Sequence, residues 1–139
     1  MRIKCYVRIF INGGSGGTVL RDIGFIFTTP PYFDNYARDG FDMLLSIASY
    51  TDNIKVFFVE NAVLQLIKNQ KANQIMYQDY LSKIRLLELY EIQQIFVCKD
   101  AINKRNLSRD CIYLIDDMKI VNQTIINNEI RLCKKILRF

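Results

Sequence analysis

The chain has no histidine and no tryptophan, only two prolines, and no long apolar run. Without imidazole there is no Ser-His or Cys-His nucleophile pair, and the usual general base and most catalytic zinc sites are excluded. No apolar stretch approaches the roughly 18 residues of a membrane-spanning helix. The basic N-terminal stretch is too broken to read as a secretory signal, so a cytoplasmic location is expected. Four cysteines, at 5, 98, 111 and 133, form no CxxC pair and no finger spacing. That argues against a structural zinc or a disulfide framework and for a reducing compartment. Neither a metal nor a cofactor is expected.

What is present is a hydrophobic half, with nine Phe and eight Tyr among 139 residues, enough for one domain with one core. Lys and Arg outnumber Asp and Glu by 19 to 14, for a net charge of +5. The cations are dispersed, as on a solvated surface. They permit an acidic partner or RNA without requiring either.

Residues 1–21 differ from the rest. "RIKCYVRIFI" alternates like a strand and runs into "NGGSGG", a linker composition with no Lys-Ser/Thr of a phosphate loop behind it. This segment reads as an N-terminal extension, unstructured or produced by a misassigned start. From residue 22 strands and helices alternate. "DIGFIFTT" (22–29) predicts a first strand, ended by Pro30-Pro31, and Asp34 or Asn35 can cap a helix over 37–50. "IKVFFVE" (54–60), "QQIFVCK" (93–99), "CIYLI" (111–115) and "KKILRF" (134–139) predict four more strands. A helical turn at "AVLQLI", a helix over 79–90, a short one at "DAINKRN", and one capped by Asp116 or Asp117 and reaching Leu132 separate them. Short continuous apolar strands between helices predict an α/β domain over 22–139. Its expected form is a doubly wound five-stranded parallel sheet in three layers, flavodoxin-like, with strand order 2-1-3-4-5.

In that order the crevice lies beyond strands 1 and 3, where "TTPPYFDN" and Cys98 would meet. Flavin phosphate is disfavoured there, because Pro30 and Pro31 lack N–H groups and Asp34 is negative. A phospho-acceptor site would need acids after strand 1 and an Asp in place of Cys98. Cys98 at a helix start gains thiolate stabilisation from unpaired N–H groups, with Lys99 assisting and Asp100 opposing. The same residue equally suits a packed strand-end thiol. Cys111, opening a strand, and Cys133, ending a helix, read as core.

"ARDGFDMLLSIASYTDNIKVFFVENAVLQLIKNQ", "DYLSKIRLLELYEIQQIFVCKDAINKRNL" and the terminal "ILRF", in order and over about 22–139, resemble the DsrE/DsrF-like family of small sulfur-handling subunits. The resemblance implies a heterohexamer, a dimer of heterotrimers with TusB-like and TusD-like subunits. That complex passes persulfide sulfur from a TusA-like carrier to a TusE-like one, toward 2-thiouridine at the tRNA wobble position, with no direct tRNA contact. It also implies a position for Cys98, that of the persulfide cysteine of TusD-type subunits. There Lys99-Asp100 replaces small apolar residues, and the extension over 1–21 has no counterpart.

Independently of the resemblance, the helix over 79–90 is apolar around its circumference, and the helix over 37–50 adds a second stripe, Met43, Ile47 and Tyr50. Both fit burial against other subunits or a wide core contact. Three readings therefore stand: an accessory, non-catalytic subunit of a sulfur relay, a persulfide carrier acting through Cys98, and a nucleotide- or RNA-binding module of the same fold. The first is favoured.

Overall fold

In the computed structural model, residues 22–30, 35–68, 74–112 and 115–139 are described, Tyr36 and 74–81 by their backbone only. The expected extension over 1–21 with Cys5, residues 31–34 of the first loop, and the side chains of Tyr80 and Leu81 lie outside the described residues. The elements are β1 (Ile23–Phe27), α1 (Tyr36–Ala48), β2 (Ile54–Phe58), α2 (Gln74–Leu89), β3 (Gln94–Cys98), α3 (Lys99–Lys104), β4 (Met118–Val121), α4 (Gln123–Leu132) and β5 (Lys135–Arg138). All strand pairs are parallel, so the expected α/β class with a five-stranded parallel sheet holds.

The strand order is β4-β3-β2-β1-β5, not 2-1-3-4-5. The burial pattern gives the reason. All five residues of β2 are buried, Lys55 included, which suits an interior strand and not the edge that the expected order assigned. The edges go to the two strands with the least buried surface, β4 and β5. From β1 to β4 the chain therefore steps steadily one way across the sheet. It reverses only once, when α4 carries it back to place β5 on the far side of β1.

The fourth strand also lies later than expected. Cys111 belongs to a 3-10 turn, Arg109–Cys111, and Ile112 makes only an isolated antiparallel bridge to Ile67. Asp116 and Asp117 form a turn, and the β-branched run behind it pairs with β3, from Ile95↔Met118 to Cys98↔Val121. The cap of α4 is therefore Asn122, whose side chain accepts the Ile125 N–H at 2.9 Å. In the other direction, α2 begins at Gln74, ahead of the expected start at Asp79.

Strand alternation sends Phe25, Phe27, Val56 and Phe58 to one face, beneath α1 and α2. Phe27 stacks there on Phe41 at 4.7 Å and on Phe58 at 5.5 Å. Lys55, Phe57 and Phe96 line the other face with α4, and the Phe57 and Phe96 rings lie 5.3 Å apart. Each such ring contributes about 1.5–3 kcal/mol by leaving water. In α2, Ile84 and Leu87 point into the core, while Ser82, Arg85 and Glu88 are exposed. The described half of α2 is thus amphipathic, not apolar all round, and Leu89 is its one strongly exposed apolar side chain.

Phe139 closes the sheet. Its N–H donates to the Ile26 carbonyl at 2.8 Å, and its own carbonyl accepts from the Thr28 N–H and hydroxyl. Its ring stacks near Phe25 and Phe27, directly under Gly40 of α1. A Cβ at Gly40 would stand 2.6 Å from Phe139 Cγ and 2.8 Å from Phe27 Cε1, so glycine here lets α1 approach the sheet. Gly40→Ala gains about 1 kcal/mol of helix propensity but overpacks two rings, at about 1–3 kcal/mol. We expect net destabilisation, read as a lowered urea midpoint. An unchanged or raised midpoint would show that the rings yield freely.

Candidate functional site

Cys98 is both the last residue of β3 and the N-cap of α3, and its sulfur accepts the Ala101 N–H at 3.4 Å. The strand ends here because Lys99 and Asp100 turn outward into solvent while Ala101 and Ile102 pack inward. The thiol also donates to Gln123 Oε1 at 3.2 Å, and the residue is only 1% exposed.

The residues that meet Cys98 are not the expected ones. β2 lies between β1 and β3, so the carboxyl ends of β1 and β3 are not adjacent. The neighbour of β3 is β4, and winding reverses between these two: β3 leads on into α3, and β4 leads back through α4. The switch point of the sheet is therefore the gap between the carboxyl ends of β3 and β4, and Cys98 stands in it.

Asp100, expected to oppose a thiolate, has a structural partner. Its Oδ2 accepts the backbone N–H of Gln123 at 2.8 Å, and the Gln123 amide in turn donates to Asn127. With Asn122 holding the Ile125 N–H, the start of α4 has two of its free donors occupied by protein oxygens. Sequence reasoning missed Gln123. The signal was Asn122 three residues ahead of the Ile125-Ile126 pair, an N-cap pattern obscured by the aspartates at 116 and 117. At the end of β1, the Thr28 hydroxyl goes to Phe139 and the Thr29 carbonyl takes the amide of buried Gln65. Beside them the Thr29 hydroxyl and Gln65 Oε1 are buried with no hydrogen-bond partner among the described residues.

α4 is held over the sheet by a buried cation. Lys55, 5% exposed, reaches Glu129 of α4 at 2.7 Å and Asp22 at 3.2 Å. Burial alone pushes the Lys55 ammonium down, but the hydrogen bonds and charges of Glu129 and Asp22 outweigh it, and its pKa stands above the ordinary lysine value. Cys133, expected in the core, is half-buried beside this group at the end of α4 and donates to the Glu129 carbonyl at 3.4 Å. Burial pushes its thiol up; Lys55 pulls it back in part, while Asp22 and Glu129 add to the rise. Cys133 is therefore held as a thiol. Cys111, expected in the core, is exposed in its turn and accepts from the Ser108 hydroxyl at 3.3 Å. Among the described residues no group of three His, Cys, Asp or Glu side chains is arranged to hold a metal ion, and no helix is long and apolar enough to cross a membrane.

Comparison with known proteins agrees with this architecture. The DsrE/DsrF-like family model matches residues 21–139. A protein described as a TusC homolog in Aliivibrio fischeri is 35% identical over 117 residues, covering 84% of this chain and 98% of the relative. TusC of an Escherichia coli O127:H6 strain is 31% identical over 120 residues, 86% of this chain and all of the relative. The crystal structure of the E. coli YchN protein superposes with a TM-score of 0.71 over 86% of this chain and all of that one; at 17% identity the likeness is one of fold.

Two outcomes follow from this geometry. Lys55→Met strands two carboxylates, which keep 24% and 29% of their side-chain exposure and so rehydrate in part. The cost is about 2–3 kcal/mol, below the ~3–5 of a wholly buried pair. A raised folded pKa contributes stability that is complete below the unfolded lysine value of about 10.4 and is lost as pH rises through the folded pKa. Denaturant midpoints of wild type and variant should therefore differ at neutral pH and converge in strong alkali; a constant gap would contradict the ion-pair account. Gln123→Ala removes the thiol's acceptor and part of its cover, so iodoacetamide should alkylate Cys98 faster than in wild type. Equal rates would show that Gln123 does not shield it.

Proposed function

The chain belongs to the DsrE/DsrF-like family, and on that premise we propose that it is a TusC-like accessory subunit of a sulfur-relay complex serving tRNA 2-thiolation. Its partners in this reading are TusB-like and TusD-like subunits, in a dimer of heterotrimers that exchanges persulfide sulfur with TusA-like and TusE-like carriers. One observation at the site carries the accessory role. Cys98 is buried, its sulfur caps α3, and its proton is given to Gln123, so the thiol is committed to structure. A carrier thiol must instead be open to attack by an incoming persulfide and then to attack by the next thiol.

Apolar side chains left at the surface support a role in assembly. Met43 and Tyr50 of the α1 region are 45% and 52% exposed, and Leu89 at the end of α2 is 70% exposed. A Lys83–Asp42 ion pair at 3.2 Å joins the two helices that present them. Such a face suits burial against another subunit.

A second reading makes Cys98 a carrier, and the N–H of Ala101 aimed at its sulfur favours it, because the same donor stabilises a thiolate. In that step the Cys98 thiolate attacks the terminal sulfur of a carrier persulfide, R–S–SH. The carrier leaves as the thiolate R–S⁻, and Cys98–S–SH forms with no net oxidation. The nucleotide-binding alternative is disfavoured by the sequence after β1, where Pro30 and Pro31 lack N–H groups and Asp34 is negative.

The test is wobble-uridine thiolation of tRNA with the partner subunits present and Cys98→Ser in place. Serine keeps the cap to Ala101 but cannot carry a persulfide. We expect thiolation to persist at about the wild-type level. Its collapse, with the complex still assembling, would establish the carrier reading instead.

A further inference from the structure

We infer that the free edge of β5 is a docking strand for an extended acidic segment of a partner polypeptide. The inference does not depend on the sulfur-relay reading. Among the described residues β5 pairs with β1 along one side only and stands at the edge of the sheet. At its two ends the N–H groups of Lys134 and Phe139 are committed to carbonyls of the β1 side, Asp22 and Ile26. Along the outer side no described residue supplies a partner, so backbone donors and acceptors there await a strand.

The side chains around this edge give the partner its chemistry. "RLCKKILRF", residues 131–139, carries four cations and no acid. Arg131, Lys134 and Lys135 are exposed and have no ion partner among the described residues. Arg138 has only a loose, exposed pair with Glu60 at 3.4 Å. The acids on the inner side, Asp22 and Glu129, are both taken by Lys55. Between the cations lie Leu132, 65% exposed, and Ile136, 38% exposed. An incoming strand that alternates acidic and apolar residues would place its charges on the face of Lys135 and its apolar side chains on the face of Ile136 and Leu132, while its backbone completes the sheet.

Two other occupants fit less well. A second copy would bring a like-charged β5 against this one, which the lysines oppose. RNA phosphate offers only acceptors to an edge that also presents carbonyls, and it leaves the exposed leucine and isoleucine unused. The charges that discourage self-pairing are thus the ones that select an acidic strand.

The probe is a short fluorescent peptide of alternating glutamate and valine, titrated into the full chain at low salt, with amide hydrogen exchange followed in parallel. We expect saturable binding and slowed exchange within residues 135–138. Charge reversal by Lys134→Glu with Lys135→Glu should weaken binding about tenfold or more. N-methylation of alternate peptide amides should abolish it, because the ladder cannot then form. Should the double variant fold poorly by circular dichroism, Arg131→Glu serves the same purpose. The proposal is overturned by absence of binding, by binding that ignores N-methylation, by an RNA hairpin protecting the same amides when the peptide does not, or by self-association of the chain through β5.

Discussion

Phe139 sits where the two halves of the winding meet. Its backbone is tied to Ile26 and Thr28, and its ring fills the space that Gly40 leaves beneath α1. Seating the last residue there fixes β5 beside β1, and β5 beside β1 forces α4 to cross the whole opposite face of the sheet. From that crossing two things follow. Glu129 comes over Lys55, and the first residue of α4 comes over Cys98. The aromatic seat at one edge of the sheet thus positions the groups around a thiol near the other.

The same crossing explains why the site is closed. A cysteine ending a parallel strand at a switch point ordinarily faces a crevice. In this chain Asp100 draws the backbone of Gln123 toward β3, and the Gln123 side chain then covers the sulfur. The buried cation beneath α4 holds the helix in register over the sheet. Its carboxylates remain partly wet, which lowers the cost of keeping an ion pair inside a small domain. Three unlike interactions, an aromatic seat, an ion pair and a helix cap, therefore converge on one helix.

Much of this was legible beforehand, and for definite reasons. β1, β2 and β3 lay close to where their apolar runs placed them, because a strand buried on both faces leaves a continuous hydrophobic signature. The position of Cys98, at the junction of β3 and α3, was equally visible in the change of pattern after Val97. The fourth strand was misplaced because "CIYLI" and "MKIV" are comparable short apolar runs. Only pairing with β3 distinguishes them, and pairing is not written in local pattern. Once that strand slipped, Asn122 could not be recognised as a cap, and Gln123 had no reason to be noticed.

The amino-acid sequence by itself determined the class of structure, the interior strands, the absence of imidazole chemistry and the family to which the chain belongs, since each depends on composition or on local and ordered patterns. Tertiary structure alone decided the strand order, the neighbour of Cys98, the burial of its sulfur, and the exposure of Cys111. These rest on which elements become adjacent. Adjacency is set by the competition among whole strands for the interior of the sheet, where fully buried β2 displaces the half-polar β4 and β5 to the edges.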